Sequence, residues 1–344
     1  MRLPDRSVGH THTGSYSDGV ESKRVALALG SGGARGYAHV GVIQVLEERG
    51  YEVVGVAGSS MGALVGGLHA AGVLEDYVEW SVGLTRADLF RMLDLSLSSP
   101  GAIRAEKIFA RVQEMVGGVL IEDLPIPYTA VATDLLARKE VWFQRGPLDV
   151  AIRASIAIPS VITPVVLNGR LLADGGLMNP VPIAPTASVQ ADLTIAVSLN
   201  GESRTGRTPT PETESAVVEP EEEWGERFRR GAARLLDRDV VRALTARFGG
   251  DAAEGEDTGT PAAEAPPEPD MGELPPGLGK FDVMNLSIEA MQSVLTRYCL
   301  AGLPPDVVVS VPKDACRSLD FHRAAEMVEL GRQLAETALR SADL

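Results

Sequence analysis

Three short glycine-bearing segments carry the groups that could do chemistry. Gly58-Ser59-Ser60-Met61-Gly62 has the spacing G-x-S-x-G, in which a serine sits in a strained turn and small neighbours leave its hydroxyl exposed. A helix starting at Met61 would set its positive end under Ser60, where it favours developing negative charge. Taken alone, the motif also fits a glycine-rich turn with Ser60 as a helix cap. Gly30-Ser31-Gly32-Gly33-Ala34-Arg35-Gly36 follows a short apolar run and can turn several backbone N–H groups toward one point, as a phosphate cradle or an oxyanion hole. The dinucleotide pattern G-x-G-x-x-G fails from Gly30 because Arg35 takes the last place. The acidic residue expected after the second strand is also absent, that place being Gly58-Ser59. There is no G-K-[ST], which excludes a P-loop, so the oxyanion reading survives. Asp174-Gly175-Gly176 ends another short strand; such a group is commonly a turn, but its carboxylate is placed to reach across the edge of a sheet.

The elements that must position these groups read as strands alternating with helices over the first 200 residues, the pattern of a largely parallel sheet covered by helices. Strands are expected at 25–29, 53–57, 128–133, 139–143 and 193–199, and helices at 37–49, 61–71 and 103–116. Residues 165–172 read as a hairpin around Asn168-Gly169. Residues 53–74 contain no charge and have Gly62 and Gly66 at GxxxG spacing, so they could pass for a membrane span. Six of those 22 residues are glycine, and Gly58-Ser59-Ser60 interrupts the run; strand, turn and helix is the better reading.

Composition sets the frame. The chain has 344 residues, 44% hydrophobic and 23% charged, which excludes wholesale disorder, collagen and coiled coil. Its formal charge of −15 supplies no cationic face for nucleic acid, so no nucleic-acid partner is expected. Residues 1–22 read as a flexible tail without the apolar core of a secretory signal, and His10 and His12 there as incidental. The catalytic domain is expected at 23–200 and is completed by 283–344. Between them, 201–282 reads as an acidic, Pro-rich, mobile insertion: residues 201–280 hold 18 acidic and 10 basic side chains and nine of the 22 prolines. Within it, residues 224–248 form an amphipathic pattern with seven arginines on the polar face, suited to an interfacial membrane element or a lid, or to docking on the core or on a partner chain. Two cysteines, Cys299 and Cys316, build no disulfide framework and fit a cytoplasmic location, with peripheral contact at the inner membrane face.

In their order along the chain, the three segments resemble the patatin-like phospholipase family, including its bacterial branch of neuropathy-target-esterase type. Ala154-Ser155-Ile156-Ala157-Ile158-Pro159 is similar to the family's helix and loop before its D-G-G. The likeness spans residues 23–200 and, more loosely, 284–323; it departs at Ser31, where many members carry glycine. The resemblance implies a three-layer α/β/α fold with a central, mostly parallel sheet, and serine hydrolysis of lipid acyl esters, phospholipid or lysophospholipid, through an acyl-enzyme. It makes Ser60 the nucleophile and Asp174 the base of a Ser–Asp dyad. Gly32 and Gly33, with an N–H from Ala34 or Met61, would form the oxyanion hole. Gly30, Arg35, Gly36, Gly58, Gly62, Gly175 and Gly176 would shape it, Arg35 as a brace for the loop in preference to a contact for an anionic head group. It implies no metal and no cofactor, and transient contact with a membrane surface. Three alternatives stay open: a Ser-Asp-His triad with His322, transfer of the acyl group to another alcohol, and a non-catalytic regulatory module.

Overall fold

The computed structural model describes residues 22–92, 94–95, 103–104, 106–159, 161–202 and 280–344. The N-terminal tail, most of the acidic insertion and its amphipathic pattern at 224–248 lie outside the described residues. Along the chain run β1 (Arg24–Leu29), α1 (Ala38–Glu48), β2 (Glu52–Ser59), α2 (Met61–Ala70), α3 (Leu74–Val82) and α4 (Arg86–Met92). Next come β3 (Asp94–Leu95), β4 (Ile103–Arg104), α5 (Glu106–Val116), β5 (Tyr128–Asp134), β6 (Lys139–Phe143) and α6 (Leu148–Ser155). The hairpin β7 (Val165–Leu167) and β8 (Arg170–Asp174) is followed by β9 (Leu193–Gly201), α7 (Lys280–Gly302), β10 (Val307–Pro312) and α8 (Ala324–Ser341).

One sheet of eight strands organises these elements, in the order β10-β9-β1-β2-β5-β8-β7, with β6 also pairing to β5. The run from β10 to β5 is parallel; β6, β8 and β7 join antiparallel. Parallel strands need cover on both faces, which explains their nearly unbroken apolar sequence. On β1, the period of two sends Val25, Leu27 and Leu29 into the main core with α1, α2 and α8. Ala28 faces the opposite side, where it meets Ala196, Val181, Ile183 and Leu300 of α7. Close approach of α1 and α8 depends on glycine: a Cβ on Gly41 would lie 2.0 Å from Val328 O, and one on Gly331 2.1 Å from Ala38 O.

The uncharged run at 53–74 is β2, a sharp turn and α2, not one span; among the described residues no helix is long and apolar enough to cross a membrane. Asn168 and Gly169 both take positive φ, 49° and 75°, the two-residue turn that the hairpin sequence predicts. The helix expected at 103–116 begins only at Glu106, because Ile103–Arg104 pairs instead with Asp94–Leu95. The helix expected at 37–49 is α1, Ala38–Glu48, entered through a 3-10 turn over Gly33–Tyr37.

Candidate active site

Leu29 at the end of β1 pairs with Gly58 near the end of β2, so the segments following these two strands leave the sheet side by side. Ser60 occupies the turn between β2 and α2 at φ 56° and ψ −123°, a strained conformation for a residue with a side chain. The flanking glycines are required sterically. A Cβ on Gly58 would meet Gly62 O at 2.3 Å, and a Cβ on Gly62 would meet Leu29 O at 2.1 Å. The Ser60 hydroxyl donates to Asp174 Oδ2, and both residues are 3% exposed.

Asp174 ends β8 and is fixed on every side. Its N–H donates to Ala157 O at 2.9 Å, its carbonyl accepts from Thr133 Oγ1 at 2.9 Å, and its Oδ1 accepts the Gly176 N–H at 2.7 Å. Gly175 must be glycine here, since a Cβ would lie 2.0 Å from Val131 O. Burial pushes the Asp174 carboxyl up to about 6, against the opposing pull of the hydrogen bonds from Ser60 and Gly176. A carboxylate at that value is ionised at neutral pH and a stronger base than a solvent-exposed one.

The glycine loop is anchored from several sides. Gly30 N–H donates to Val197 O at 2.9 Å and Ser31 N–H to Pro180 O at 2.8 Å. The Arg35 guanidinium is buried and donates to Lys313 O at 3.0 Å and Cys316 O at 3.3 Å, with Glu289 at 3.9 Å, so it ties the loop to residues 313–316. The resemblance offers Ala34 or Met61 as a third oxyanion donor, and the structure corrects the first: the Ala34 N–H is engaged by Ser318 O at 2.9 Å. Among the described residues, the N–H groups of Gly32, Gly33 and Met61 donate to no acceptor. Met61 opens α2, where a backbone N–H has no partner within the helix.

Two residues that support the site were not singled out from sequence. Ser155, the last residue of α6, accepts the Ser60 N–H at 2.9 Å, and its own hydroxyl donates to Val131 O at 2.6 Å. It thereby fixes the strained turn to β5. Ser155→Ala would leave a buried amide unpaired, and the expected result is a kcat lower by about tenfold with KM little changed. Steady-state kinetics check this, with partial recovery expected in Ser155→Thr. The second is His39, fully buried under the loop, with Nε2 2.8 Å from Gly30 O. Burial lowers its pKa to about 4, so the ring is neutral, and because a carbonyl only accepts, Nε2 carries the proton. The sequence signal for Ser155 is its place inside the Ala154–Pro159 segment, and for His39 its place just after the glycine loop.

His322 is not brought into hydrogen-bonding contact with the dyad: its Nε2 accepts from Arg86 Nε at 3.1 Å, while the Asp174 oxygens are held by Ser60 and Gly176. Cys299 and Cys316 are unpaired thiols, and burial raises the latter to about 11. A cavity of about 250 Å³ lined by Gly55, Val56, Tyr128, Gln144 and Thr186 lies toward the start of β2 and β5; no residue of the dyad or the glycine loop lines it.

Comparison with known proteins adds the following. The family model described as patatin-like phospholipase matches residues 27–187. NTE family proteins of Mycobacterium tuberculosis and Mycobacterium bovis are 54% identical over 344 residues, covering 95% of this chain and 94% of each relative. The neuropathy target esterase of Drosophila melanogaster is 32% identical over 191 residues, 54% of this chain and 13% of that protein.

Proposed function

Because the chain belongs to the patatin-like phospholipase family, in its neuropathy-target-esterase branch, we propose that it is a lipid acyl hydrolase with Ser60 as nucleophile and Asp174 as base. The observation that carries this reading is the direct, buried hydrogen bond from Ser60 Oγ to Asp174 Oδ2, with no imidazole between them. As Ser60 Oγ attacks the acyl carbonyl, its proton passes to Asp174 Oδ2. The oxyanion that forms meets the N–H groups of Gly32, Gly33 and Met61, each worth about 3 kcal/mol in the transition state. Collapse breaks the ester bond, and the departing alcohol takes the proton back from Asp174. Water then attacks the acyl-enzyme, with Asp174 again the base, and a free fatty acid leaves.

The substrate class we assign is a phospholipid or lysophospholipid, met by transient contact with a membrane surface. A panel of such lipids assayed with wild-type protein and Ser60→Ala tests this, with fatty-acid release expected only from the wild type. Release at equal rates from both proteins would refute it.

Two further outcomes follow. His322→Ala is expected to keep most of the activity, since the reading gives His322 no contact with the reacting atoms; a mutant as inactive as Ser60→Ala would favour the triad. The acid limb of kcat/KM is expected near pH 6. The base must be ionised, so activity holds above that value and falls as pH drops through it. A pH–rate profile from 4.5 to 9 checks this.

A further inference from the structure

Ser31 lies on the glycine loop with 2% of its surface exposed, and its Oγ has no hydrogen-bond partner among the described residues. A buried hydroxyl without a partner is disfavoured, and such a group asks for an explanation. Its surroundings supply one. A Cβ built on Gly176 would meet Ser31 Oγ at 2.4 Å, Ser31 Cβ at 2.5 Å and Asp174 Oδ1 at 2.9 Å. The Ser31 side chain and Asp174 Oδ1, the carboxylate oxygen not engaged by Ser60, thus border the same small space that Gly176 leaves. That oxygen accepts the Gly176 N–H and has a second lone pair. The Ser31 backbone is held by its bond to Pro180 O, so only the side-chain torsion is free to turn.

In the free enzyme, Asp174 has two side-directed donors, Ser60 Oγ–H and Gly176 N–H. Acylation removes one of them, because the Ser60 oxygen becomes an ester oxygen and carries no proton. The buried carboxylate must then stay ionised with a single donor until water arrives. Resting on the reading of Ser60 and Asp174 given above, we propose that Ser31 is a positioning residue for deacylation: its hydroxyl turns onto Asp174 Oδ1 in the acyl-enzyme and replaces the donor that acylation consumes. Water then attacks the acyl carbon and gives its proton to Asp174 Oδ2. The carbon–Oγ bond breaks, Ser60 Oγ recovers that proton, and the free acid departs. At rest the hydroxyl stands unpartnered while the carboxylate already has one donor on each oxygen, Ser60 Oγ–H on Oδ2 and Gly176 N–H on Oδ1.

Charges nearby offer no substitute. The titratable side chains on the elements packed around β8 and the Ser60 turn include Tyr128 and Asp134 of β5, Asp149 and Arg153 of α6, His69 of α2, Glu52 of β2, and Arg35 and Tyr37 of the 3-10 turn that follows Ser31, with Arg170 on β8 itself. Arg35 is engaged by Lys313 O and Cys316 O, Asp134 lies 4.0 Å from Arg170, and none of these side chains hydrogen-bonds to Asp174.

The test uses the full chain and p-nitrophenyl butyrate. The butyryl-enzyme is formed by rapid mixing, and its decay is followed by intact mass between pH 5 and 9 for wild type, Ser31→Ala and Ser31→Gly. Alanine removes the hydroxyl and keeps the packing; glycine is the second variant should alanine fail to fold, as judged by thermal melting. The acid limb of deacylation is expected to move up by about one pH unit in the variants. Decay is then several-fold slower at pH 6 and nearly unchanged at pH 8, with the acylation limb of kcat/KM unmoved. Deacylation limbs that coincide with wild type in both variants would overturn the proposal, and so would equal shifts in acylation and deacylation. Failure of the underlying dyad reads differently: no butyryl adduct would form on Ser60 in any of the three proteins.

Discussion

Ser60→Ala is expected to lower acyl-ester hydrolysis by about 10⁴-fold or more, as removal of the nucleophile does in serine enzymes where the residual rate comes from binding and the oxyanion hole. The effect should be confined to chemistry. Alanine keeps the Cβ and the backbone of the turn, where φ is 56°, and the Ser155 hydroxyl still accepts the residue's N–H. Losing the hydroxyl takes one donor from Asp174, which responds by holding its proton more tightly. A thermal melt close to that of the wild type, beside near-zero fatty-acid release, is the expected pair of results.

Asp174→Asn should lower kcat by about 10³- to 10⁴-fold, since the amide keeps the shape but has no basicity at neutral pH. Its effect on stability has the opposite sign. Folding raises the Asp174 carboxyl from 3.8 to about 6. A group raised in this way stabilises the fold at pH values below its unfolded value, and that contribution is lost as pH rises through 6. Above pH 6 the buried charge weighs against the native state. Asparagine removes that charge and still accepts the Gly176 N–H. The variant is therefore expected to melt about 2–5 °C higher than wild type at pH 8, with the difference shrinking by pH 5. Calorimetry at the two pH values, run beside the activity assay, checks both halves. An inactive variant that is also less stable at pH 8 would mean that Asp174 holds the fold and not the reaction.

Much of this arrangement was legible in the residues because it is written in local chemistry. Ser60 had to stand between two glycines for steric reasons that G-x-S-x-G records, and Asn168-Gly169 encodes its turn through the backbone angles the two residues tolerate. The apolar runs of β1 and β2 announce strands buried on both faces. What escaped depends on partners distant in sequence. Nothing near Ala34 shows that Ser318, 284 positions later, claims its N–H. Ser155 stands in a segment that the resemblance marks, but its role shows only when the fold brings it to the N–H of Ser60, 95 positions away. α5 starts at Glu106, later than its apolar period suggests, because the pairing of Ile103–Arg104 with Asp94–Leu95 overrides a helical period that begins at Ile103. Ser31 could be noted as a departure from glycine, but its neighbours Gly176 and Asp174 come from another part of the sheet.

The central claim is that the Ser60 oxygen is made nucleophilic by direct contact with Asp174. Reaction with a fluorophosphonate, timed by intact mass and located by peptide mapping, tests it without any assumption about the natural lipid. The account predicts a single adduct on Ser60 in the wild type, none in Ser60→Ala, and a rate at least about 10³-fold lower in Asp174→Asn. An adduct on another residue, or an Asp174→Asn variant that reacts as fast as the wild type, would contradict it.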